Sequence, residues 1–150
     1  MLKQRPKTMQ ARDLMQRDVV TVREDLTVGE LADVLQQAHI HGAPVVREDG
    51  GLVGFVSQED VLFGNMGGPP GHHDAEPGPE GSRDAYVVRV GDIMTAPAVS
   101  ATEDTDVRDL CRIMWRLRVH HVPIVRDGKV TGIVSSLDLC RVVADEGLAG

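Results

Sequence analysis

The sequence predicts an α/β fold of two pseudo-symmetric repeats, each running strand, helix, strand, strand, helix. Two observations carry this expectation. The chain matches itself at a nearly constant offset, and within each copy the apolar period switches between that of a strand and that of a helix. Asp13-Leu14-Met15 returns as Asp92-Ile93-Met94, 79 residues on, and the same offset puts Glu24-Asp25 on Glu103-Asp104, Val28 on Val107, Leu31 on Leu110, His41 on His120 and Pro44 on Pro123. An extra glycine in Asp49-Gly50-Gly51, against Asp127-Gly128, lowers the offset to 78, after which Gly54-Phe55-Val56-Ser57 matches Gly132-Ile133-Val134-Ser135 and Asp60 matches Asp138. With only two copies, the apolar faces must close on each other as a pair rather than stack as a solenoid.

The first short strand of each copy falls around Thr21 and Ser100. A helix follows, because Val28, Leu31, Ala32, Leu35 and Ala38, and in the second copy Val107, Leu110, Cys111, Met114 and Leu117, keep the spacing of an apolar stripe. Thr27 with Glu30, and Asp106 with Asp109, stand where an N-cap and its partner three residues on belong. Hairpins come next, over 43–47 with 52–56 and over 122–126 with 130–134, each divided by Asp-Gly chemistry. The final helices are expected to start at Ser57 and Ser135 and to run to about Phe63 and Ala144. Ser57 and Asp60, like Ser135 and Asp138, fit an N-cap with its first-turn acceptor.

These elements divide the chain into repeat 1 over 11–64, a linker rich in Gly, Pro and His over 65–89, and repeat 2 over 90–144. The linker is too poor in apolar residues to form a core, although Tyr86, Val87 and Val88 could pack near its end. At 150 residues the two copies suit one integrated module. A net charge of −7, with 23 acidic against 16 basic side chains, argues against a general attraction to nucleic acid or to an anionic membrane. No segment has the roughly 20 apolar residues of a membrane span, and the first ten residues lack the apolar stretch of a secretory signal, so a cytoplasmic protein is expected. Cys111 and Cys140 are too few for a disulfide framework; they align with Ala32 and Leu62, which suggests packed thiols.

The repeated unit, with D-[LI]-M at its start, h-x-[AV]-P-[VI]-V after the first helix and G-h-V-S-x-x-D before the second, resembles the CBS (cystathionine-β-synthase-type) domain pair, or Bateman module. The resemblance covers 11–144 apart from the linker. It implies two intertwined repeats packed through their small sheets, with two related clefts that take adenosine-containing ligands such as AMP, ADP, ATP or S-adenosylmethionine. Carried over by position, Asp60 and Asp138 would bond the ribose hydroxyls, and Ser57 and Ser135 would line the ribose or phosphate region. Thr21 and Ser100 would meet adenine through their backbone, and His41, His120 and His121 would meet phosphate. Gly42 stands where the second copy has His121, so the two clefts should differ in how they hold phosphate. The resemblance further implies a homodimer formed through helices. Trp115 and Met114 are the candidate contacts, since the twin of Trp115 is the polar Gln36.

The expected function is a non-catalytic regulatory module, an energy sensor that binds an adenine nucleotide and signals by a population shift to a regulated protein in trans. The sequence carries no nucleophile elbow, no G-x-x-x-x-G-K-[ST] loop and no H-E-x-x-H helix, so no enzyme is expected. Each candidate has a plainer reading: Ser-x-x-Asp is also a helix cap, and the histidines also suit strand ends. A ligand-free dimeric scaffold is the competing function. A sensor of S-adenosylmethionine, or of metal through His72-His73-Asp74, is a third.

Overall fold

Val28, Leu31 and Leu35 fall on one side of a helix at spacings of three and four, and in the computed structural model that side is buried. The structure describes residues 9–65 and 87–146. In chain order the elements are α1 (Ala11–Leu14), α2 (Val28–Ala38), β1 (Gly42–Val46), β2 (Leu52–Ser57), α3 (Gln58–Asn65), α4 (Val90–Ile93), β3 (Ala101–Thr102), α5 (Val107–Leu117), β4 (His121–Arg126), β5 (Lys129–Ser135) and α6 (Ser136–Glu146). This is the mixed α/β arrangement of small sheets that the repeat predicts. His72, His73, Asp74 and Tyr86 lie outside the described residues.

The chain forms two compact units, and their limits are not those of the sequence repeats. One unit is the described part of Val20–Ala98; the other joins the described parts of Met1–Val19 and Val99–Gly150. Each copy's opening helix therefore sits in the other copy's unit. Val90 of α4 is fully buried with Val28, Leu31, Val45 and Val56, and Ala11 of α1 is fully buried with Val107, Leu110, Ile124 and Val134. The backbone fixes these segments: Val90 N–H donates to the Leu26 carbonyl at 2.8 Å, and Ala11 N–H donates to that of Thr105 at 2.8 Å. Thr95 and Phe55 exchange two backbone bonds, at 2.8 and 2.9 Å, and Gln16 and Ile133 exchange two at 2.9 and 3.0 Å. Gly54 and Gly132 make room for this. A Cβ on Gly132 would stand 2.5 Å from the Met15 sulfur, and one on Gly54 would stand 2.7 Å from that of Met94.

In the unit of Val20–Ala98, β1 and β2 form an antiparallel hairpin with a register shift between Val45 and Val46. The short first strand is here a single parallel bridge, Val22 to Val45. In the other unit it is the two-residue β3, parallel to β4, which pairs antiparallel with β5. Asp127 (φ 54°) and Gly128 (φ 78°) make the two-residue turn of that hairpin with both residues left-handed, the geometry that follows the strand twist.

Thr27 caps α2 as expected, accepting from Glu30 N–H at 3.1 Å while Glu30 Oε1 accepts from the Thr27 N–H at 3.2 Å and from its hydroxyl at 2.8 Å. Asp106 also caps its helix, but through Arg108 N–H at 2.7 Å. The expected partner Asp109 instead takes a bond from Arg112 at 2.7 Å. Both helices end on a left-handed residue, His39 (φ 54°) and Arg118 (φ 57°).

Two expectations about α5 and α6 are corrected. Met114, expected at a dimer contact, is 7% exposed and belongs to the core with Val107 and Leu110. At about 100° per residue it shares their face, whereas Trp115, one step round, is 71% exposed. Of the two thiols expected to be packed, Cys111 is half-buried, but Cys140 is exposed. Its twin Leu62 is 59% exposed, so this face of the last helix points away from its own unit's core in both copies.

Candidate functional site

Each copy assembles its candidate residues where the second hairpin strand turns into the last helix. In the unit of Val20–Ala98, Ser57 ends β2 and Asp60 lies in the first turn of α3. Ser57 donates to Asp60 Oδ2 through its N–H at 2.8 Å and its hydroxyl at 3.0 Å, and Asp60 N–H returns a bond to Ser57 Oγ at 3.3 Å. The capping reading is therefore correct, and it also fixes the carboxylate's orientation. No described residue bonds Asp60 Oδ1. His41 completes the cluster: its carbonyl accepts from Gln58 N–H at 2.7 Å, and its Nδ1 lies 3.0 Å from Gln58 Oε1.

The second copy repeats the frame. Ser135 N–H donates to Asp138 Oδ2 at 2.8 Å, Asp138 N–H donates to Ser135 Oγ at 3.2 Å, and Ser136 N–H donates to the His120 carbonyl at 2.9 Å. The environment differs, since Asp138 is 6% exposed and Asp60 half-buried. Asp138 Oδ1 accepts from Gln16 Nε2 at 3.2 Å and lies 4.0 Å from Arg141 Nη2.

The two adjacent histidines part company. His121 is the register partner of Ser135 across β4 and β5, while His120 faces a groove between α5 and α6 with Trp115, Arg118 and Leu139. Opposite the His121 position, the Phe55 ring covers Gly42, where a Cβ would stand 2.8 Å from it; the corresponding pair in the second copy is His121 with Ile133. Thr21 and Ser100 are both exposed, and each precedes the residue that starts the parallel pairing, Val22 or Ala101. Gln16 was not singled out from the sequence. The only signal for it was its place after Met15, where the second copy has Thr95.

Among the described residues no group of three or more His, Cys, Asp or Glu could hold a metal ion, and no helix is long and apolar enough to cross a membrane.

Solved structures share this fold. CBSX2 in complex with AMP superposes with a TM-score of 0.75 at 22% identity, over 90% of this chain and 96% of that one. The CBS domain pair of MJ0100, in complex with 5'-methylthioadenosine and S-adenosyl-L-methionine, gives 0.74 at 24% identity over 91% and 97%. In sequence the chain is 30% identical over 132 residues to inosine-5'-monophosphate dehydrogenase of Methanocaldococcus jannaschii, over 87% of this chain and 23% of that protein. It likewise spans less than half of two other curated relatives from that organism, 43% and 31% of their lengths. The CBS domain profile matches residues 11–65 and 90–145. The chain thus belongs to the CBS domain family, as a pair of CBS domains that forms a regulatory module.

Proposed function

We propose that this chain is a cytoplasmic, non-catalytic sensor that binds an adenine nucleotide, AMP, ADP or ATP, and reports its presence to a regulated protein in trans. The observation that carries the reading is the Ser57–Asp60 pair. A carboxylate held by two bonds on Oδ2 presents Oδ1 at the start of a helix, where a vicinal diol can donate to it and the helix end favours a nearby anion. His41 stands beside it, its Nδ1 3.0 Å from Gln58 Oε1, and an imidazole nitrogen can donate to a phosphate oxygen. The ligands named with CBSX2 and MJ0100 all contain adenosine, which supports the ribose and adenine part of the reading more than the phosphate part.

Calorimetric titration with AMP, ADP, ATP and S-adenosylmethionine tests it. Saturable binding that Asp60→Ala or Asp138→Ala abolishes is the expected result, and absence of heat with all four would overturn it. The module would act by population shift, the ligand favouring one arrangement that the partner distinguishes. A scaffold without ligand is the second reading, favoured by the exposed Trp115 and Leu117 on α5, which also suit a homodimer contact.

A further inference from the structure

We infer that the two copies are unequal as ligand sites and that Gln16 makes them so. It occupies the Asp138 carboxylate of the second copy and leaves the Asp60 carboxylate of the first as the high-affinity ribose acceptor. This rests on the nucleotide reading above and assigns the site within it.

The capping frames of the two copies nearly coincide, so the difference lies in what else reaches each carboxylate. Gln16 is pinned by its two backbone bonds to Ile133, and from there its side chain reaches Asp138 Oδ1 at 3.2 Å. Thr95 holds the equivalent place, pinned to Phe55 by the same two bonds. Its hydroxyl sits on Cβ, two bonds closer to the backbone than an amide of Gln, and no bond joins it to Asp60 among the described residues. Arg141 adds a cation 4.0 Å from the same Asp138 oxygen; the first copy has Phe63 at that place in the sequence. Asp138 is the one buried charged residue among those described, and its two oxygens are both engaged. A diol that binds there must first displace the amide from a carboxylate. A hydrogen bond to a charged group is worth about tenfold or more in affinity. At Asp60 no described residue needs to be displaced from Oδ1.

The experiment is titration of the intact chain, with AMP and separately with S-adenosylmethionine, for wild type, Asp60→Asn, Asp138→Asn and Gln16→Thr, each checked for an unchanged thermal melt. Wild type should show one tight site per chain, lost in Asp60→Asn and kept in Asp138→Asn. Gln16→Thr should tighten a second site by about tenfold or more. Two equally tight sites in wild type, a tight site that Asp138→Asn removes, or an unchanged Gln16→Thr titration would each overturn the role of Gln16 while leaving the nucleotide reading intact. Absence of binding in every protein would overturn both.

Discussion

Ser57 and Asp60 hold each other from both sides, the serine donating to the carboxylate and the aspartate N–H donating back to the hydroxyl. The carboxylate therefore serves the helix and is offered to a ligand at once, and two substitutions separate those roles. Ser57→Ala removes the cap oxygen and should cost about 0.5–2 kcal/mol, read as a lower melting temperature. Asp60→Asn keeps an acceptor for the Ser57 N–H, so it should melt close to wild type and yet lose AMP. A melting loss in Asp60→Asn as large as that in Ser57→Ala would show that the charge serves the helix alone.

Gly54→Ala and Gly132→Ala should each destabilise the chain by about 1–3 kcal/mol, the usual cost of overpacking. The added methyl meets a methionine sulfur in both cases, and at Gly54 it also stands 2.9 Å from the Thr95 carbonyl, which cannot rotate away. Urea unfolding would measure this. Gly29→Ala, where nothing lies within 4 Å, is the control and should be neutral or stabilising. Equal stability of all three would mean that the opening segments do not pack as described.

Acid should weaken the cap of α2. The hydroxyl and the backbone N–H of Thr27 hold the Glu30 carboxyl below its ordinary value of 4.5. A group lowered by folding stabilises above its unfolded pKa, and that contribution fades as pH falls through 4.5 and then through the folded value. The difference in urea midpoint between wild type and Glu30→Gln should accordingly shrink from about pH 6 to about pH 3.5. A constant difference would assign the effect of the substitution to shape rather than charge.

The thiols should react unequally. Burial, with a smaller contribution from the Asp106 charge, pushes the Cys111 thiol up, so less of it is thiolate at neutral pH. Cys140 is exposed. Brief alkylation followed by peptide mapping should mark Cys140 first, and preferential labelling of Cys111 would contradict the packing of α5 on α6.

Trp115→Glu tests the proposed homodimer contact: it should leave the fold intact and lower the sedimentation coefficient in analytical ultracentrifugation from that of a dimer to that of a monomer, because Trp115 is 71% exposed and supports no core of its own. An unchanged sedimentation coefficient would remove α5 as the contact.

Much of this was legible because two copies report on each other. The offset of 79 that puts His41 on His120 drops to 78 after the extra glycine and puts Asp60 on Asp138, and the cap geometry of Ser57 and Ser135 followed from residue types alone. The same register places Met114 on Leu35, a stripe residue; reading Met114 as an outward contact overlooked its twin. Gln16 was not legible, since a glutamine after a methionine has no fixed partner until the chain brings Asp138, 122 residues away, within reach. Nor could spacing say which residues of each opening segment would be buried by the other copy, because Ala11 and Val90 are short apolar residues that any core would take.

The exchange of opening helices bears on how such a chain could arise. Half of it, cut at the limits of the repeat, would hold a hairpin whose outer edge is paired by a segment from the other half. Such a half could restore that pairing by borrowing the segment from a second molecule. The repeat is thus the unit that duplication copies, but it is not the unit that folds, and joining two copies in one chain turns a partnership between molecules into a property of one.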